Sequence, residues 1–80
     1  MMERIKLQGR AAELREKLKE YEIRAQNHVI TIRDVVDPLD DIIDYEIERA
    51  EQAMISLKVL VAKSREAAEK LKKIDKALHG

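Results

Sequence analysis

Eighty residues leave room for one small domain, residues 1–80, and the absence of cysteine removes disulfides and thiolate metal sites as supports for a small core. Charged residues make up 40% and hydrophobic residues 45% of the chain, the composition of long helices, while only Tyr21 and Tyr45 are aromatic. That excludes an aromatic-walled ligand pocket or a base-stacking platform, and a formal net charge of zero argues against a polyanion-binding protein.

The chain opens on MMERIKLQG, which has no apolar core of a secretory signal. A first helix is expected over about residues 3–35. Leu7, Ala11, Leu14, Leu18, Tyr21, Ala25, His28, Ile32 and Val35 recur at alternating intervals of four and three, the spacing of a helix that packs along a seam. Gly9 weakens the beginning of this helix by about 1 kcal/mol relative to alanine, so residues 1–9 are expected to fray. Val29–Val36 is rich in β-branched residues, but the seam continues through it, and a lone strand would have no partner.

A turn is expected at about 36–37. Proline disfavours helical geometry at the residue before it, so Asp37 can cap a helix whose first position is Pro38. The second helix is predicted over about 38–78, with its seam at Ile43, Ile47, Ala50, Met54, Leu57, Val61, Ser64, Ala68, Leu71 and Leu78. A flanking row, Leu39, Ala53, Leu60, Ala67 and Ile74, widens that stripe to about three positions in seven. One facing helix cannot cover it. The expected fold is all-α: an antiparallel two-helix hairpin that pairs into a four-helix bundle. A single long helix kinked at Pro38 is the alternative, which the capping sequence argues against. The longest apolar run, Val59–Ala62, is far too short to span a bilayer, so no membrane partner is expected and a cytoplasmic protein is the default.

Charge is polarised along the chain. Residues 1–33 carry +3, residues 34–53 carry −7 and residues 58–80 carry +4. Folded as a hairpin, the chain would have an acidic tip and a basic base. Antiparallel association, tip beside base, follows as an expectation, since parallel pairing would crowd like charges at both ends.

Candidate chemistry is sparse. Asp40-Asp41-Ile42-Ile43-Asp44 has the DDxxD spacing that chelates magnesium diphosphate in isoprenoid synthases, but it lacks a second acidic motif and a cavity. Glu48-x-x-Glu51 and Glu66-x-x-Glu69 resemble the paired motifs of all-helical nucleotide pyrophosphohydrolases, yet both fall on one helix, about 27 Å apart from Glu48 to Glu66 at 1.5 Å per residue. A magnesium-dependent enzyme using carboxylates from two chains is thus an alternative to the main reading. His28 is expected near Asp41, Asp44 or Tyr45, where a packed histidine accounts for it better than a metal site does. Lysines between Lys63 and Lys76 could meet nucleic-acid phosphates, but Glu66, Glu69 and Asp75 interrupt them, and a weak nucleic-acid accessory role is the second alternative. Ser56 and Ser64 have no His–Asp arrangement beside them.

The sequence therefore assigns no catalytic residue, metal or cofactor. It points to a small structural or interaction protein, not an enzyme, that forms a homodimer or tetramer and is able to bind another protein. Leu14, Leu18, Leu57, Leu60, Val61 and Leu71 are the expected oligomer core. Ile23 with Ile30, and Ile55 with Val59 and Ala62, lie away from the seams as a possible second contact surface.

Overall fold

A computed structural model of the chain describes residues 2–79. Two long helices, α1 (Met2–Val35) and α2 (Ile47–His79), pack against each other as a hairpin, joined by a connection that holds one short 3-10 turn at Ile42–Asp44. The molecule is a rod of 62 × 17 × 14 Å. Among the described residues there is no strand, and no helix is long and apolar enough to cross a membrane.

The seam of α1 is the one its spacing predicts. Ala11 and Val35 are buried, and Leu7, Leu14, Leu18, Tyr21, Ala25, His28 and Ile32 are half-buried. The helix runs through Gly9 and begins at Met2; Met1, the first of the residues expected to fray, lies outside the described residues. Val29–Val35 is helical, and the Val36 N–H donates to the Ile32 carbonyl at 3.0 Å.

The second helix differs from expectation at its start. It begins at Ile47, not Pro38, and the turn spans the whole stretch between the helices rather than two residues. The capping signal at Asp37 is real but builds a turn. The Asp37 side chain accepts the Leu39 N–H at 2.9 Å, and its carbonyl accepts the Asp40 N–H at 3.1 Å, with proline at the second position of the turn. A helix from Pro38 would have stacked Asp37, Asp40, Asp41 and Asp44 on one face at intervals of three and four. Like charges so placed repel, and aspartate is a weak helix former. The chain instead makes the 3-10 turn, and the Tyr45 hydroxyl reaches back to donate to the Asp37 carbonyl at 2.9 Å, clasping the connection. Glu46 then starts α2, its carbonyl accepting the Ala50 N–H at 3.2 Å.

Within α2 the row expected to flank the stripe is its centre. Ala53, Leu60, Ala67 and Ile74 are the buried residues, and Ala50, Leu57, Ser64, Leu71 and Leu78 beside them are half-buried. Together these two rows alternate by three and four from residue 50 to residue 78, a regular seam against α1. The third row of the stripe, Ile47, Met54, Val61 and Ala68, is left uncovered. Leu39 and Ile43, assigned by sequence to the stripe, lie in the connection and are 92% and 87% exposed.

Candidate interaction surface

Two contacts fix which residues share a side of the rod. Arg15 Nη2 lies 3.2 Å from Asp75 Oδ1, bridging the helices on one side of the seam. On the opposite side Arg10, Glu13 and Lys17 of α1 line one shallow groove together with Lys70 and Lys73 of α2. Because both seams keep a seven-residue repeat, each row can be followed from these anchors.

From Arg15 the row continues in sevens through Glu22 to Val29 and Val36. From Asp75 it runs back through Ala68 to Val61, Met54 and Ile47. One side of the rod thus carries a charged bridge near the free ends of the helices and an open aliphatic surface near the connection. Met54 is 52% and Val61 37% exposed, and Val29, Val36 and Ile47 are exposed as well. The Arg15–Asp75 contact also sets the level of each residue along the antiparallel pair: Val36 falls level with Met54, and Val29 with Val61.

The other side is basic. Arg10 and Lys17 extend by sevens to Arg24, and Lys70 extends to Lys63 and Arg49. Two of these cations have acidic partners on their own helix, Arg49 with Glu46 at 3.4 Å and Lys70 with Glu66 at 3.3 Å.

Of the residues expected to carry association, Leu60 is buried inside the hairpin, and Leu14, Leu18, Leu57 and Leu71 are half-buried there. Val61 alone lies on the open surface. The exposed Ile23 and Ile30 lie on the back of α1, whereas Ile55 and Val59 lie on the back of α2, so the two pairs do not merge into one patch. The surface that does form across both helices includes Val29 and Val36, which belong to neither seam nor to the expected second contact surface. The signal was present, since Arg15, Glu22, Val29 and Val36 are a heptad row beside the seam, but its side could not be matched to α2 without the tertiary contact.

The acidic motifs are scattered rather than convergent. Asp40 and Asp41 lie in the connection and Asp44 in the 3-10 turn, while Glu48, Glu51, Glu66 and Glu69 are exposed along α2. Among the described residues no three histidine, aspartate or glutamate side chains are grouped to hold a metal ion. His28 is not beside Asp41 or Asp44: with Arg15 level with Asp75, it faces α2 at roughly position 62. The long connection is the cause, because it uses up the residues that a tight turn would have placed opposite His28.

No protein-family model, curated protein or solved structure matches this chain.

Proposed function

We propose that this chain is a small interaction protein, not an enzyme, which works by self-association through its helical surfaces. The observation that carries the reading is uncovered area. The chain of 9.3 kDa exposes 6939 Å², whereas a compact monomer of that mass would expose roughly 5,000 Å². The surplus is larger than the roughly 800 Å² that each partner contributes to a standard interface. The elongated shape accounts for the surplus, and one side of the rod, formed by Val29, Val36, Ile47, Met54 and Val61, carries aliphatic side chains within it. Contiguous aliphatic surface of this kind marks a contact site rather than ordinary scatter.

Analytical ultracentrifugation over a hundredfold range of concentration tests the proposal. A dimer or larger assembly at micromolar concentration is expected. A folded monomer throughout that range would sink it.

A second reading, an accessory protein that touches nucleic acid, draws on the basic side formed by Arg10, Lys17, Arg24, Lys63, Lys70 and Lys73. It requires a mobility shift on duplex DNA or RNA that weakens steeply with salt, and no shift at low salt would dismiss it.

A further inference from the structure

We infer that the second copy binds the Val29–Val61 side in an antiparallel, half-staggered register, in which the loop halves of two rods overlap and their basic ends point outward. The inference rests on the self-association proposed above and specifies its geometry.

The position of the aliphatic surface leads to this register. Nearly all the large exposed hydrophobic side chains fall between Val29 and Val61, in the half of the rod that holds the connection. A full-length antiparallel pair, tip beside base, would set Met54 level with Gln8 and Val61 level with Arg15 and Asp75, burying aliphatic groups against polar and charged ones. A two-fold axis at the level of Val36 and Met54 avoids this. It places α2 across α2 of the other copy, so that Met54 meets Met54, Ile47 meets Val61 and Val61 meets Ile47. On α1, Val36 meets Val36, and Val29 falls level with the connection of the other copy, where Leu39, Ile42 and Ile43 are exposed. A single operation thus sets Val36, Ile47, Met54 and Val61 against one another and Val29 against the connection, the reciprocal contacts that an isologous interface requires.

Local charge pairs fit the same arrangement. Glu51 and Lys58 occupy one row on α2, next to the aliphatic row and seven residues apart. The stagger brings Glu51 of each copy level with Lys58 of the other. Arg33 likewise comes level with the acidic stretch Asp40–Asp44 of the other copy. A parallel dimer would also match the aliphatic rows, Val36 on Met54 and Val29 on Val61, but it would set two segments of −7 side by side. The antiparallel stagger sets the two acidic segments end to end at the axis instead of alongside each other, and it gives up the tip-beside-base pairing of net charge for the match of the aliphatic rows.

The chain contains no cysteine, so single substitutions report contacts cleanly. Under mild oxidation Met54→Cys is expected to form a disulfide-linked dimer in high yield, since bridged residues need Cα atoms within about 7 Å. Three outcomes would overturn the inference while leaving self-association standing: a Met54→Cys dimer that sediments normally but does not cross-link; cross-linking of Ala68→Cys instead, the mark of full-length overlap; or cross-linking only in a mixture of Val36→Cys and Met54→Cys, the mark of parallel rods. A monomer in the sedimentation experiment removes both readings. As a second test, Lys58→Glu should weaken the dimer on the order of tenfold, and adding Glu51→Lys should restore it. A double variant as weak as the single one would count against the register.

Discussion

Gly9 lies within an unbroken helix, has no positive φ, and a methyl group built on it meets nothing within 4 Å. Its cost is entropic alone, because glycine loses more backbone freedom on folding than alanine does. Gly9→Ala is therefore expected to raise stability by about 0.5–1 kcal/mol, read as a higher urea midpoint at unchanged slope. Tyr45 is the opposite case, a residue whose single polar atom fixes a local path. Its hydroxyl holds the Asp37 carbonyl at 2.9 Å across the connection. Tyr45→Phe should lower stability by about 0.5–1.5 kcal/mol with helicity by circular dichroism unchanged, since only the clasp is lost. The Arg15–Asp75 pair is more exposed and worth less. Asp75→Asn should cost under about 1 kcal/mol, and less in high salt, because both partners are largely solvated.

At the scale of elements, the hairpin is held by two facing seams of unequal quality. α1 offers Ala11 and Val35 as its buried residues, and α2 offers Ala53, Leu60, Ala67 and Ile74. Two of the four in α2 are alanines, so Leu60 and Ile74 carry most of the apolar volume on that helix. Leu60 is 8% exposed, and Leu60→Ala is expected to cost roughly 2–3 kcal/mol, a large share of what so small a core can supply. Ile55→Ala, on the back of the same helix, should change stability by less than about 0.5 kcal/mol. The connection shows how local rules compete. An Asp-Pro pair can begin a helix or a turn, and here Asp37 closes a turn on Leu39 and Asp40 that the Tyr45 hydroxyl clasps from the far side of the connection.

For the whole molecule, the small internal core and the surplus of exposed surface are two sides of one fact: a pair of helices cannot hide a stripe three positions wide. If the proposed self-association holds, stability is coupled to concentration, since binding another folded copy favours the folded state by mass action. The melting temperature of the natural chain should then rise with protein concentration. Val61→Asp, a charge placed on the open aliphatic side, should abolish that rise by dissociating the copies. Leu57→Asp, on the seam itself, should unfold the chain at every concentration. Circular dichroism melts at several concentrations separate the two variants.

The sequence by itself determined that there are two helices, where the first one ends and the entire α1 seam, because heptad spacing and proline geometry are local and need no partner to be read; the start of α2 at Ile47 it did not. It also determined that the stripe on α2 is too wide for one neighbour. Which two of its three rows turn inward was decided by tertiary packing, since Ala53, Leu60, Ala67 and Ile74 serve as a flank or a centre with equal local propriety. The same holds for the uncovered surface: Val29 and Val36 become one patch with Ile47, Met54 and Val61 only when Arg15 meets Asp75 and fixes the register of one helix against the other.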